Sequence, residues 1–464
     1  MRRPIRRILA IICALAALAS SAVLAACGNG LESRVRDTAA TSSAAPWPPT
    51  SAGGVGGGSV GGGSGRRAAA PVRDFDPPSH FNPTGAVPLP SVAGSVSGLG
   101  DPTGELPLAL AGSTAYVATP DYLAAIDTRT GRLSETLASP TAGKPISHSD
   151  DERGEPPLVA TADGHTRVYA AFAVEVPGSG TTPGHRSLEV VGADTAAREP
   201  VWHAVVPVEA WADKSYRRLT AAPVWTDGHT LITRLLDKDS LSNEGESTTY
   251  AFDLASGKVA WKQVGFAAQV VASSVVIGIE YDHDKYRTVV VGRSVEDGST
   301  RWTQPQETYV TVALYPAGPH FVHAILDNAG QDDSMKIIDV ATGATKETLV
   351  GAFNGVACAY DGRSVTVCFK RDPGNTWTGA YDATSGSYLW SLPDEDANRV
   401  APTVTTAWHG AVYGKTENGP VILDARTGKD RAAAAGAAPY LVDAQAGIAV
   451  DPQSGSLTAV PADR

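Results

Sequence analysis

The chain has 464 residues with 38 basic and 49 acidic side chains, a formal net charge of −11, and 48 glycines and 32 prolines. Gly and Pro together make about a sixth of it, against roughly 12% in average usage, which argues against a helical bundle or coiled coil. The acidic balance argues against a nucleic-acid binder, which needs a basic face to neutralise phosphates.

Residues 1–26 read as a secretory signal peptide. Arg2, Arg3, Arg6 and Arg7 form a basic start, and Ile8 to Val23 is apolar with small residues interspersed, short for a spanning helix. Arg6-Arg7-Ile8-Leu9 is a weak twin-arginine match that a plain basic start also explains. The stretch ends in Leu24-Ala25-Ala26-Cys27, which resembles the lipobox of bacterial lipoproteins. The resemblance implies that Cys27 receives a diacylglycerol and becomes the first residue of the mature chain. Two acyl chains satisfy the requirement for a stable anchor. Cleavage removes the four signal arginines and leaves the mature chain more acidic still, so lipid rather than charge must hold it to an anionic surface. The expected location is the extracytoplasmic face of a cell membrane.

Residues 27–85 read as a flexible, lipid-anchored linker rich in Gly, Ser and Pro. Its centre, Gly53-Gly54-Val55-Gly56-Gly57-Gly58-Ser59, is nearly repeated up to Gly65. Such composition cannot bury enough apolar surface to order itself. A coil of this length has an r.m.s. span on the order of 40 Å, enough to hold a folded part off the membrane.

From about residue 105 one unit recurs, marked by Asp-x-x-(Ser/Thr)-Gly. It stands at Asp127–Gly131, Asp253–Gly257, Asp339–Gly343, Asp382–Gly386 and Asp424–Gly428, with degenerate copies at Asp194–Arg198 and Ser294–Gly298. Four residues beyond the motif stand Trp202, Trp261, Trp302 and Trp390, where other copies have Glu135, Glu347 and Ala432. From Gly257 the steps to Gly298, Gly343, Gly386 and Gly428 are 41, 45, 43 and 42 residues. A period of that size signals a solenoid or a propeller. Apolar runs such as Val421-Ile422-Leu423 before the motif suit strands, the motif itself suits a tight hairpin turn, and no amphipathic helix is visible. Four short antiparallel strands per period make a propeller blade.

The pattern resembles the PQQ-type, quinoprotein-like β-propeller repeat, with its Ala-Leu-Asp-x-x-Thr-Gly-x-x-x-Trp signature, over about 105–464. The resemblance implies an all-β fold and a Trp packed between neighbouring blades. It serves quinoprotein dehydrogenases and non-enzymatic scaffolds alike, so it does not fix a function. Seven units are complete. The chain ends on three further strands near Tyr440-Leu441-Val442, Gly447-Ile448-Ala449-Val450 and Leu457-Thr458-Ala459-Val460. Val87 to Val92, ahead of the first unit, can supply the fourth and remove exposed edges. Residues 86–464 are therefore expected to form an eight-bladed propeller, with seven blades as the alternative.

In such a propeller the loops from second to third strand and from blade to blade share one face. That face carries the insertions: 174–187, 237–247, 281–286, 327–334 and 371–378, with 148–155 and 209–217 between blades. Aromatics among polar residues there suit a protein interface, and the candidate partner-binding residues are Trp211, Tyr216, Tyr281, Tyr286 and Trp377. Catalytic and metal patterns fail. Asp237-Lys238-Asp239 starts like a calcium loop but has Leu241 and Ser242 where a ligand and a Gly belong. His320 and His323 are oddly spaced for one strand face, and His283 between two aspartates reads as solvated. No nucleophile elbow, phosphate loop or haem motif occurs.

Of four cysteines, Cys13 leaves with the signal and Cys27 takes the lipid. Cys358 and Cys368 flank a hairpin centred near Arg363 that places them opposite each other, as a disulfide or as two buried thiols. Quinoprotein alcohol dehydrogenases carry a disulfide between adjacent cysteines, with calcium ligands and a catalytic Asp, none of which maps onto this chain. No cofactor is expected, with PQQ and calcium as the minority reading. The reading is a monomeric, non-enzymatic binding or scaffold module for a protein partner. The alternatives are a small-ligand or sugar-binding propeller and a PQQ-dependent oxidoreductase.

Overall fold

The structure is a computed structural model, and it describes residues 73–93, 106, 108–119, 122–138, 144–146, 155–196, 200–214, 219–237, 246–282, 285–308, 310–328, 332–371, 376–451 and 454–464. The signal segment, Cys27, most of the expected linker and Tyr216 lie outside the described residues.

Eight antiparallel sheets follow one another along the chain, each running from an innermost to an outermost strand. Blade 1 consists of Leu108–Ala111, Thr114–Ala118, Tyr122–Asp127 and Arg132–Ala138. Blades 2 to 7 span 158–207, 219–264, 266–303, 310–351, 356–392 and 403–432. Two carry a short extra strand, Lys144–Pro145 in blade 2 and Glu307–Thr308 in blade 4. Blade 8 takes Leu441–Val442, Ala446–Val450 and Leu457–Pro461 from the C-terminus, and Val87–Pro88 as its outermost strand, with Val87 opposite Ala459. The innermost strands of successive blades lie side by side, and that of blade 8 adjoins that of blade 1. The fold is an eight-bladed β-propeller, closed by strands from both ends of the folded part, and the seven-blade alternative falls.

The middle strands of each blade are buried on both sides, as in Val275-Val276-Ile277, because the neighbouring blades cover both faces. The outermost strands alternate, as in Lys258–Val264, where Trp261 is buried among exposed neighbours. The apolar residues accordingly form eight clusters, one between each pair of adjacent blades, rather than a single core.

The recurring motif closes the hairpin between the third and fourth strands. In blade 1 the Asp127 carboxylate accepts the backbone N–H groups of Arg129 and Thr130 at 2.9 and 3.0 Å, and Gly131, at φ +66°, donates to the Asp127 carbonyl at 2.8 Å. Asp253, Asp339, Asp382 and Asp424 accept in the same way from Ser256, Thr342, Ser385 and Thr427. The backbone bond from Ser385 holds the Asp382 carboxyl below the usual carboxylate range.

The repeat tryptophans then join blade to blade. The Trp261, Trp302 and Trp390 indole N–H groups donate to the Val295, Val340 and Ala425 carbonyls at 2.7, 2.7 and 2.9 Å. Each acceptor is the second motif residue of the next blade. Each ring covers that motif's glycine so closely that a Cβ on Gly298, Gly343 or Gly428 would meet it at 2.8, 2.5 or 2.6 Å. Trp202 departs from the pattern: it packs edge-on against Phe252 and its Nε1 has no partner among the described residues. In blade 5, where Glu347 replaces Trp, the adjacent Lys346 reaches the Ser385 carbonyl of blade 6 instead.

The segment 73–85, assigned to the linker by composition, is part of the ring. Phe81 is fully buried between blades 7 and 8, edge-on to Tyr413, whose hydroxyl donates to the Pro78 carbonyl at 2.9 Å. Asp76 pairs with Arg363 and His409, both at 2.5 Å. Composition concealed this because the anchoring rests on a few side chains among prolines, Phe81 and Asp76 with His80 and Asp74, and on backbone bonds to the last blades. Phe81→Ala is expected to lower stability by about 3–5 kcal/mol, read from urea unfolding of the whole chain. A change under about 0.5 kcal/mol would mean that the segment only lies alongside.

Burial pushes the Asp443 carboxyl of blade 8 up to about 6, nearby Asp74 adding to the effect. Between 3.8, its ordinary value, and that pKa the folded chain holds a proton that the unfolded chain has lost, so this group's contribution weakens as pH rises through the window. Asp443→Asn is expected to raise stability by about 1–3 kcal/mol at about pH 8 and to leave it unchanged at about pH 3, compared by urea midpoints.

Candidate functional site

Strand order puts the loops of the two faces under different constraints. On one face the turns from first to second strand run from Gly112-Ser113 in blade 1 to 317–320 in blade 5, and the motif turns complete that face. On the other lie 177–184, 208–214, 393–402 and 433–440. The insertion expected at 174–187 falls on this second face, as do the described parts of 209–217 and 281–286; 148–154, 238–245, 329–331 and 372–375 lie outside the described residues.

Its elaboration peaks at blade 2. His165–Val176 and His185–Asp194 are the longest strands among the described residues, and they carry the neutral, exposed tip 177–184. Arg186, 6% exposed, braces this wall. Its guanidinium donates to the Ala212 and Lys214 carbonyls at 3.2 and 2.7 Å, and its backbone N–H donates to Asp213 at 3.1 Å. Trp211, expected to face a partner, belongs to the same brace. It is buried between blades 2 and 3, with its indole N–H donating to Thr248 Oγ1 at 2.9 Å. An indole offered to solvent would forgo that burial, so the residue anchors the loop instead.

Tyr281 and Tyr286 stand on one hairpin of blade 4. Tyr281 is half-buried; Tyr286 is 52% exposed at φ +50°, a left-handed conformation rare for a bulky side chain. Trp377 lies in blade 6, half-buried and edge-on to Phe353, with its ring over Gly379. Of the described candidates, Tyr281 and Tyr286 share one hairpin, and Trp211 and Trp377 belong to other parts of the ring.

Arg186 and Asp333 fall within the expected insertions 174–187 and 327–334, but their bracing roles were not legible in the sequence. Asp333, 9% exposed, accepts from the Asn328 and Asn354 backbone N–H groups at 3.3 and 2.7 Å, tying the blade 5 hairpin to the connection into blade 6. Nothing local marks either residue, because their partners arrive from other loops. Ion pairs also cross between loops and strands here: Glu209 with Lys262 at 2.5 Å, Glu307 with Lys336 at 2.6 Å, and Asp282 with Lys285 at 3.0 Å. These described charges of the face are paired with one another.

Cys358 and Cys368 are joined by a disulfide across the two inner strands of blade 6, with Cα atoms 4.0 Å apart. His320 is exposed and His323 is 1% exposed, so the two imidazoles do not meet a common ligand. Among the described residues, the side chains of His, Cys, Asp and Glu that converge in a group of three are His323, Cys358 and Cys368. A calcium ion with PQQ asks for oxygen donors, and this group holds none, so this group does not fit that cofactor.

No family profile matches the sequence, and no curated protein matches it. Solved structures do resemble it. BamB from Moraxella catarrhalis is 11% identical over 77% of this chain and 96% of its own, with a TM-score of 0.40. A europium-containing methanol dehydrogenase is 11% identical over 77% and 82%, with a TM-score of 0.38. The Dos1 propeller is 9% identical over 75% and 89%, with a TM-score of 0.41.

Proposed function

We propose that this protein is a lipid-anchored, extracytoplasmic binding module whose elaborated face docks a protein partner, without catalysis. The observation that carries the reading is the asymmetry of the ring. One face carries short hairpin turns, three of which take the indole N–H of the preceding blade, and the other carries loops of unequal length braced by Arg186, Trp211 and Asp333. Braced loops present a preformed surface and lose little freedom on docking, which favours recognition of another folded protein. Exposed Tyr286, held at φ +50°, is the kind of rigid aromatic that anchors such contacts. The anchor rests on Leu24-Ala25-Ala26-Cys27 and the Gly/Ser-rich stretch behind it.

Two measurements test the parts separately. Cys27→Ala is expected to move the chain from the membrane to the soluble fraction of cells that make it; retention in the membrane would overturn the lipid anchor. A photo-cross-linking amino acid in place of Tyr286 is expected to give one discrete adduct in those cells, and the same group at Thr427, on the turn face, none. No adduct at Tyr286, or equal adducts at both, would overturn the docking face.

A further inference from the structure

A set of soft donors lies in the interface between blades 5 and 6, away from the loop face. His323 stands opposite Ile337, and Ile325 opposite Met335, on paired strands of blade 5, so alternation puts His323 and Met335 on the same face. Blade 6 meets that face with Cys358 and Cys368. His323 Nδ1 lies 3.2 Å from Cys368 Sγ, and Met335 Sδ lies 3.9 Å from the same sulfur. One ligand atom each from His323, Cys358 and Cys368 fall within 4.8 Å of one another. All four residues are buried, among Ile325, Ile337 and Val356. Burial pushes the imidazole down to about 3, so it stays neutral and keeps a lone pair to offer.

We propose that, once its disulfide is reduced, this cluster binds one copper(I) ion through Cys368, His323 and Met335. Thiolate and thioether sulfur select copper(I), whereas zinc is held by Cys, His and carboxylates and gains nothing from a thioether. Tetrahedral bonds of about 2.0–2.3 Å set ligand atoms about 3.3–3.8 Å apart. The contacts of Cys368 with His323 and Met335, at 3.2 and 3.9 Å, sit close to that range.

The chemistry balances with a dithiol as reductant. It gives two electrons and two protons to the Cys358–Cys368 bond, which breaks to two thiols, while the dithiol closes to its own disulfide. Copper(I) then replaces the Cys368 thiol proton, which leaves to solvent, and its oxidation state does not change. One thiolate, one imidazole and one thioether make a neutral complex, which suits an apolar interface, and Cys358 stays a protonated thiol. The disulfide closes blade 6 on itself, whereas the metal would tie blade 6 to blade 5.

The full chain is reduced with dithiothreitol under argon, mixed with tetrakis(acetonitrile) copper(I), desalted, and assayed for copper by mass spectrometry and by competition with bathocuproine. About one copper per chain is expected after reduction and none in the oxidised chain. Cys358→Ser cannot form the disulfide and is expected to bind one copper without reductant, whereas Cys368→Ser binds none. Met335→Leu, close in volume and so expected to fold, should weaken copper at least about tenfold and leave zinc unchanged. Far-ultraviolet circular dichroism checks the fold of each. Reduced wild type that retains no copper would overturn the site, as would equal binding by Cys368→Ser or unweakened binding by Met335→Leu.

Discussion

The indole-to-turn hydrogen bond is the constraint on which the ring depends. A buried indole N–H needs an acceptor, and the Asp-x-x-Thr-Gly turn leaves the carbonyl after its Asp pointing out of the blade. Joining the two satisfies both, and the flat ring covers a glycine where a Cβ would not fit. The net gain per bond is modest, about 1 kcal/mol, but an indole or carbonyl left alone in the interface costs about 1–3 kcal/mol. The lock therefore sets the pitch at which one blade can follow another. Blade 5 uses Lys346 on the Ser385 carbonyl for the same join.

This lock also explains why the molecule has no single core. Each sheet is sandwiched between two neighbours, so its middle strands are apolar on both sides and its stability is shared with the next blade. A ring of such interfaces is stable only when the last is made. Here closure takes two residues of strand, Val87–Pro88, and a side chain well upstream, Phe81. The upstream segment also meets the ring through Asp76, which grips an arginine of blade 6 and a histidine of blade 7 together.

The same constraint separates the two faces. Turns engaged by a neighbour's indole cannot lengthen without breaking the join, so variation collects on the opposite face. The insertions there are braced by buried polar groups: Arg186 on two carbonyls, Asp333 on two backbone N–H groups. Bracing converts sequence drift into a defined surface. It also withdrew Trp211 from that surface, because its indole meets an acceptor in the next blade.

The amino-acid sequence by itself determined what is local. The motif turn needs an Asp to cap two backbone N–H groups and a Gly at positive φ, and both stand within five residues. The period, the blade content and the pairing of Cys358 with Cys368 across one hairpin follow from short separations. The closing strand was legible because a three-stranded remainder needs a fourth. What only the tertiary structure decided are contacts between distant residues: Phe81 with Tyr413, Trp211 with Thr248, Arg186 with the loop that follows its blade, and the approach of His323 and Met335 to Cys368. Alternation along a strand says which face a side chain takes. It does not say what the neighbouring blade sets opposite, because that depends on how the ring closes.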